Sequence, residues 1–474
     1  MKNLLIAFGL ALSVTFAAAG AAPPPELSAE AAQRDLRLLQ RALVALHPGL
    51  YRYTTPAQLD AAFDTARAEV AGGASRAQLY LLATRLAATV RCGHTWTNPA
   101  NQTPAVQALT GRQTLPLVLR FVEGRLLVRA SAAPTVPAGS ELLAIEGQSP
   151  ARIAQALLPY LRADGSTDGK RLAQLDDDEN GGAMQRLFPL LFPPSEAGWR
   201  LRLAGGREVV VPVLSAEARE RALAAGWLPP DAAWQLHVDG EVAVLTLPTF
   251  SFWRDGFDGR AFLDRAFAEL AARGIRRLII DLRRNEGGDD ALGRALLAHL
   301  ITEPYETPGG RRESAYERVP YALARYLDTW DFSFFDRTGR VTRGPNGRWQ
   351  LPDSPSQRVE PAAPHFAGRV VALVGPQNSS AGYLTARDLQ AARAATLIGQ
   401  PTGGNQRGLN GGQLAWITLP ASGVAVDIPL LAHLPPGNPP DAGVQPDVLV
   451  VPRWADAVAG VDTEMVAARR LLGY

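Results

Sequence analysis

Two adjacent serines lie where an apolar stretch meets a stretch with helical character. Ser379 and Ser380 follow the run Arg369–Gly375, and Ala381 opens the helical part. A serine hydroxyl is a weak nucleophile near neutral pH, so it needs a nearby base and donors for the developing oxyanion. The first N–H groups of a helix have no intrahelical partner and can be such donors. The junction suits a nucleophile, although a serine there is also an ordinary helix N-cap.

Paired glycines follow two other apolar stretches of the chain. Gly287 and Gly288 come after the strand-like run Arg277–Leu282, and the segment Gly399–Gly404 follows Thr396–Gly399. Glycine lets a backbone approach a ligand closely and present its N–H groups. These segments are therefore candidates for the walls of a site that contains the serine.

Four segments together resemble one family of serine peptidases. The family includes the C-terminal processing (tail-specific) proteases, the tricorn core protease and the interphotoreceptor retinoid-binding protein. The segments that carry the resemblance are Asp281–Gly288, Ser380–Tyr383, Gly399–Gly404 and Gly443–Asp447. The likeness spans about residues 230–455 and implies an α/β catalytic domain of the crotonase-like type.

The resemblance assigns roles residue by residue. Ser380, directly before Ala-Gly, matches the family nucleophile, which leaves Ser379 outside the chemistry. The oxyanion donors would be the N–H of Ala381 and one from the pair Gly287 and Gly288, with Gly288 preferred. A departure from the family follows the nucleophile, because Tyr383 occupies a position that is often glutamate.

The general base is where this chain departs most from the processing proteases. Those enzymes pair serine with the lysine of Gly-Lys-Gly, but Asn405 follows Gly403-Gly404 here. Beyond Lys2 the chain has one lysine, Lys170, which the sequence places in a polar loop and not at the site. The tricorn-like branch instead uses a histidine within a short turn, which the segment Cys92–Thr95 matches.

His94 is therefore the predicted general base, and His433 is an alternative because it lies close to Asp441 in the sequence. A carboxylate that fixes the imidazole tautomer assists such a base. The resemblance gives this role to Asp441, although Gly93 replaces the serine that relays the contact in the tricorn branch. Asp447 is interpreted as a turn residue.

Cys92 is interpreted as a small packed side chain. The sequence contains neither His-Glu-x-x-His nor paired cysteines, so it predicts no metal and no cofactor.

Composition limits the other functional classes. The 474 residues are 47% hydrophobic with a formal charge of +2 and no basic run, which argues against a nucleic-acid partner. The first 22 residues combine a basic start, a short apolar core and small residues, as in a cleavable export signal. A periplasmic or secreted protein without stable membrane insertion is expected, and a single cysteine means that no internal disulfide framework is expected.

Periodicity divides the remaining chain into three parts. Apolar residues at helical spacing predict a helical subdomain over residues 23–110. Strand and turn signals over 113–214, including Gly139–Gly147, resemble a PDZ domain. Alternating strands and helices over 226–474 predict an α/β peptidase domain, in which the aromatic, Pro-rich stretch Arg311–Pro361 looks disordered.

The sequence as a whole predicts an exported serine peptidase that cleaves peptides or unfolded proteins through a Ser-His acyl-enzyme mechanism. Two alternatives remain. One is a non-catalytic relative that binds peptides or apolar ligands in the same cleft, and the other is an esterase or another acyl hydrolase on the same scaffold.

Overall fold

The computed structural model describes residues 26–176, 182–223, 234–252 and 256–474. The predicted export signal, residues 1–22, lies outside this range. Among the described residues, none of the helices combines the length and the apolar character needed to cross a bilayer.

The first part of the chain is helical, as the apolar spacing predicts. Side-chain caps set where these helices begin: Ser28 accepts a hydrogen bond from the N–H of Ala31, and Thr55 forms a capping box with Gln58. The helices are α1 (Ala29–Leu46), α2 (Pro56–Glu69), α3 (Arg76–Thr89) and α4 (Pro104–Gly111).

An antiparallel five-stranded sheet follows, with its strands paired in chain order. Its first hairpin turns at Glu123 and Gly124, whose φ angles of 51° and 75° match the positive values that a two-residue hairpin turn requires. The strands are β1 (Leu117–Val122), β2 (Arg125–Ser131), β3 (Glu141–Ile145), β4 (Trp199–Leu203) and β5 (Glu208–Val211). The helices are α5 (Pro150–Leu157), α6 (Asp168–Ala173), α7 (Gly182–Arg186), α8 (Phe188–Leu191) and α9 (Ala216–Leu223). The PDZ-like assignment and the three domain boundaries stay predictions.

Strands and helices alternate in the third part, as predicted. The first set is β6 (Gln235–Asp239), β7 (Val242–Thr246), α10 (Gly259–Ala272), β8 (Arg277–Asp281), α11 (Asp290–Ala298), β9 (Tyr305–Thr307), β10 (Gly310–Ser314), α12 (Tyr321–Ala324), β11 (Leu327–Asp328), β12 (Thr342–Arg343), β13 (Trp349–Ser354) and β14 (Gln357–Val359). The second set is β15 (Arg369–Val374), α13 (Ser380–Ala391), β16 (Thr396–Gly399), β17 (Leu409–Asn410), β18 (Leu414–Thr418), β19 (Ala425–Pro429), β20 (Ala432–Leu434), β21 (Val448–Leu449), α14 (Trp454–Val458) and α15 (Thr463–Leu471).

A six-stranded sheet in the order β21-β16-β15-β8-β7-β6 organises this part. Every neighbouring pair is parallel except β6 and β7. Strands β15 and β8 are adjacent, with Leu373 opposite Asp281, so their carboxyl ends meet at one edge. Ligands bind at that edge in open α/β sheets, and the serine and glycine segments both leave it. The mixed α/β class is therefore as predicted.

The stretch Arg311–Pro361, which looks disordered in the sequence, contains paired strands. β10 pairs with β13 on one side and with β20 on the other. Much of this pairing joins segments far apart in the chain, which explains why local composition does not reveal it.

Strands β18 and β19 pack against the N-terminal helices, and their buried side chains Ile417, Val426 and Ile428 belong to the same core as Leu36 and Leu39. This packing brings the turn after α3 against the C-terminal half of the chain.

Candidate active site

The junction of β15 and α13 holds Ser380 in an unusual backbone conformation. Its φ is 49°, in the left-handed region that few non-glycine residues adopt, whereas Ser379 is extended at −139°. Strain of this kind is concentrated at functional sites. The Ser380 side chain is half-buried, and its hydroxyl makes no hydrogen bond to any residue that the structure describes.

Two backbone donors beside Ser380 are free of partners within the described part of the chain. They are the N–H groups of Ala381 and Gly288. The N–H of Gly287 instead donates to Asn285 Oδ1 at 2.9 Å, so of the two predicted glycines only Gly288 keeps a free donor. Gly287 has another role: a Cβ there would lie 2.8 Å from Ser380 Cβ and from the Ala381 nitrogen. The absence of a side chain at Gly287 thus allows the two loops to touch.

The buried side chain of Asn378, which sequence reasoning passed over, ties three loops together. Its Oδ1 accepts from the Gly375 N–H at 2.8 Å, and its Nδ2 donates to the carbonyls of Leu282 and Asn285. Its own carbonyl accepts from Gly403 and Gly404. Because these bonds join three strand ends, Asn378 fixes the relative positions of the serine and the glycine loops.

His94 lies in the turn that follows α3. Strand β19 anchors this turn, since Asp427 donates its N–H to the carbonyl of Trp96 at 2.9 Å. Buried His47 supports it from behind, with Nε2 3.0 Å from Thr95 Oγ1 and Nδ1 accepting from the Gly49 N–H.

The two nitrogens of the His94 ring have different surroundings, because one is buried and the other lies next to Gly411. Its Nδ1 is buried, while a Cβ on Gly411 would lie 3.3 Å from Nε2. Burial lowers the pKa of His94 to about 4; nearby Asp164 opposes the shift, and Arg162 and Lys170 add to it. The imidazole is therefore a neutral base at physiological pH.

His94 and Ser380 line the same cavity, which has a volume of about 790 Å³. His433, the alternative base, lines it too, and burial lowers its pKa as well. Arg162 forms part of the wall, with its guanidinium 3.7 Å from the centre of the Trp96 ring. The tertiary structure thus brings together the predicted nucleophile, base and oxyanion donors from three separate segments.

Lys170 lies elsewhere than the sequence indicates. It lies in α6, not in a polar loop, and only 1% of it is exposed. Its Nζ donates to Ser379 Oγ at 2.7 Å and lies 3.6 Å from a carboxylate oxygen of Glu286. Ser379 Oγ in turn donates to the Glu286 carbonyl at 3.2 Å. Lys170 therefore braces the residues that precede Ser380 and Gly287.

Replacing Lys170 with methionine is expected to lower the free energy of unfolding by roughly 1–3 kcal/mol, because Ser379 and Glu286 lose a charged partner. Labelling of the serine by a fluorophosphonate should persist if the lysine is a brace and not the base. Urea unfolding and labelling rates measure the two effects. Arg171→Met, which removes a cation that pairs with Asp168 in the same helix, is the matched control. Complete loss of labelling in folded Lys170→Met would identify the lysine as the base.

Asp441, assigned to His94 by resemblance, has other partners. Its carboxylate accepts from the N–H and Oγ of Ser166, each at 2.9 Å, and from Asn405 Nδ2 at 2.6 Å. Another carboxylate, that of Asp164 on the loop before α6, lies near His94. An Asp164 oxygen, a His94 ring nitrogen and Cys92 Sγ all lie within 4.8 Å of one another. No local motif marks Asp164, which explains why the sequence did not reveal it.

The same three side chains are the group of potential metal ligands found among the described residues. Burial and the proximity of Asp164 raise the pKa of the Cys92 thiol. Burial thus disfavours the thiolate, which is the form that binds metals, and the pKa shift gives no support for a metal at this cluster.

Residues 241–450 match peptidase family S41, and this region contains Ser380, both glycine loops and the final Gly-Val-Gln-Pro-Asp segment. This region of the chain belongs to that family. It is a serine-type peptidase. His94 and Asp164 lie outside the matched region, so the match does not assign their roles, and the place of this S41 peptidase in the tricorn-like branch stays a prediction.

Solved structures resemble the S41 peptidase along almost its whole length. Mature CPAF in complex with lactacystin is 13% identical, with a TM-score of 0.63 over 94% of this chain and 97% of that one. Mature CPAF alone is 14% identical, with a TM-score of 0.60 over 94% and 96% of the two chains. At these identities the likeness concerns the fold. No curated protein matches the sequence.

Proposed function

We propose that this peptidase cleaves peptide bonds through an acyl-enzyme formed on Ser380, with His94 as the general base. The observation that carries the proposal is the environment of Ser380. The residue has φ 49° and shares one cavity with a neutral histidine and with Ala381 and Gly288, whose N–H groups have no partner among the described residues.

The proposed reaction has two stages. His94 Nε2 takes the proton from Ser380 Oγ as the oxygen bonds to the peptide carbonyl carbon, and the N–H groups of Ala381 and Gly288 stabilise the oxyanion. The protonated imidazole then passes this proton to the leaving amine as the C–N bond breaks. Water next attacks the ester, giving one proton to His94, which returns it to Ser380 Oγ as the acid product leaves.

The cavity supports a peptide or an unfolded protein as the substrate. Its volume of about 790 Å³ accommodates several side chains. Backbone from the loops around Gly287, Gly310 and Gly411 lines it. Glycine-rich walls let a substrate backbone approach closely. Export to the periplasm or the medium is part of the proposal and rests on residues 1–22 of the sequence alone.

The two alternative functions, a non-catalytic binding protein and an esterase, would give different experimental results. A non-catalytic binding relative would keep the cavity but show no turnover and no covalent labelling. An esterase would label and cleave activated esters but leave casein and peptides intact, since esters are easier acyl donors than amides.

The test is the pH dependence of fluorophosphonate labelling, run beside casein and peptide hydrolysis by the wild-type protein. Because burial lowers the pKa of His94 to about 4, the base stays neutral down to that pH. The labelling rate constant is expected to be level from pH 8 to about 5 and to fall about tenfold per pH unit below about 4. A midpoint near that of a lysine would contradict this assignment of the base.

A further inference from the structure

We propose that Asp164 is the positioning residue that holds His94 in the tautomer with its proton on Nδ1. This inference rests on the proposed function, in which His94 Nε2 must be free to accept the serine proton. It replaces Asp441, which hydrogen bonds to Ser166 and Asn405 hold elsewhere.

Asp164 and His94 each have a buried polar atom that lacks a hydrogen-bond partner among the described residues. Asp164 is 2% exposed, and its Oδ2 is buried without a partner in the part of the chain that the structure describes. The same is true of His94 Nδ1. Unpaired buried polar atoms are costly, and here two of them belong to side chains whose polar atoms approach within 4.8 Å. That limit joins one ring nitrogen of His94 to one oxygen of Asp164, and a separation of this size allows a direct bond after a small side-chain movement or one bridging water.

The direction of that hydrogen bond sets the tautomer of His94. An ionised carboxylate only accepts hydrogen bonds, so pairing with Asp164 Oδ2 requires a proton on His94 Nδ1. In a neutral imidazole Nε2 is then the bare nitrogen. Nε2 is on the Gly411 side of the ring, and both His94 and Gly411 line the cavity that contains Ser380. The pairing therefore leaves a base available to the serine.

Gly93, the residue before the histidine, holds the Asp164 carboxylate in place. The N–H of Gly93 donates to Asp164 Oδ1 at 2.7 Å, which fixes the carboxylate against the histidine turn. A Cβ on Gly93 would lie 2.7 Å from Asp164 Oδ2. The space that any larger side chain at position 93 would need is thus occupied by the carboxylate itself. Asn405 supports the arrangement because its Nδ2 donates to the Asp164 carbonyl at 3.1 Å.

Asp164→Asn is the decisive variant. Its side-chain oxygen can still accept from the Gly93 N–H, while its NH₂ group takes the place of Oδ2 and acts as a donor toward His94. Nδ1 then becomes the acceptor and the proton moves to Nε2, which blocks base catalysis. The labelling rate constant is expected to fall by about 10²–10⁴-fold while the thermal unfolding midpoint changes little. Asp164→Glu is expected to recover part of the rate because it restores the acceptor.

The tautomer of His94 can be determined by NMR spectroscopy, without an activity assay. In protein that carries ¹⁵N-labelled histidine, long-range ¹H–¹⁵N spectra distinguish protonated from bare ring nitrogens. His94→Ala identifies the His94 signals among those of the 6 histidines. Wild type and Asp441→Asn should show Nδ1 protonated, and Asp164→Asn should show Nε2 protonated. Gly93→Ala, which pushes the carboxylate away, should lose the preference.

Two results would overturn the inference: a wild-type His94 protonated on Nε2, or a tautomer that changes in Asp441→Asn and not in Asp164→Asn. Either result would leave the proposed role of Ser380 standing. Conversely, if the tautomer follows Asp164 while no variant labels or turns over, the proposed function fails and the positioning of His94 holds.

Discussion

Replacing Ser380 with alanine is expected to abolish fluorophosphonate labelling and to lower kcat/KM for peptide hydrolysis by about 10⁴-fold or more, equivalent to about 5.5 kcal/mol in transition-state free energy. Removal of the nucleophile leaves only the oxyanion donors and substrate binding to accelerate attack by water. Mass spectrometry of the labelled protein and progress curves with a fluorogenic peptide measure the two effects.

Ser379→Ala is the matched control, because it removes the same hydroxyl one residue earlier. Ser379 Oγ already accepts from Lys170 Nζ and donates to the Glu286 carbonyl. The variant is expected to lose roughly 1–2 kcal/mol of stability yet to remain labelled at Ser380. If labelling is unchanged in Ser380→Ala and lost in Ser379→Ala, then Ser379 is the nucleophile. Ser379 and Lys170, whose Oγ and Nζ atoms lie 2.7 Å apart, would then form the catalytic pair.

His94→Ala is expected to reduce the labelling rate constant and kcat/KM by about 10⁴-fold or more, because no other group would take the serine proton. The substitution empties space beside Gly411, which borders the ring in the wild-type protein. Added imidazole should therefore restore part of the labelling, and the restored rate should rise with imidazole concentration. Rates with and without imidazole, at one pH near 7, give the measurement.

His433→Ala supplies the comparison for this variant. His433 lines the same cavity, and its Nε2 lies beside Gly412, where a Cβ would be 3.4 Å away. If His94 is the base, His433→Ala should keep most of the labelling rate. The reverse pattern, with the rate lost in His433→Ala and kept in His94→Ala, would transfer the role to His433.

The elements of the catalytic part were predictable because their signals are local. The strands Arg277–Asp281 and Thr396–Gly399 each have an apolar centre, and glycine-containing segments follow both. The hairpin at Glu123 and Gly124 follows from turn chemistry. By contrast, β10 and β13 lie in a stretch with no alternating pattern, and β20, from another part of the chain, completes their sheet.

Lys170 shows where composition misleads. A lysine among glycine, serine and aspartate is typical of a solvated loop. Yet this side chain is buried, because its ammonium group hydrogen-bonds to Ser379 and pairs with the Glu286 carboxylate. Gly403 provides the space for it, since a Cβ on Gly403 would lie 2.9 Å from Lys170 Cδ. None of these three contacts is visible without the fold, since each partner is more than a hundred residues away.

The sequence by itself determined the α/β class, the serine peptidase family and the segments around Ser380 and Gly288, because each depends on residue types within a short window. Only the tertiary structure decided which of the two glycines keeps a free N–H among the described residues, and only it placed an Asp164 oxygen within 4.8 Å of a His94 ring nitrogen. The packing of β18 and β19 on the N-terminal helices carries the histidine turn to the cavity, and a long-range contact then sets Gly93 against Asp164. Such contacts depend on how separate segments pack, and no local pattern encodes them.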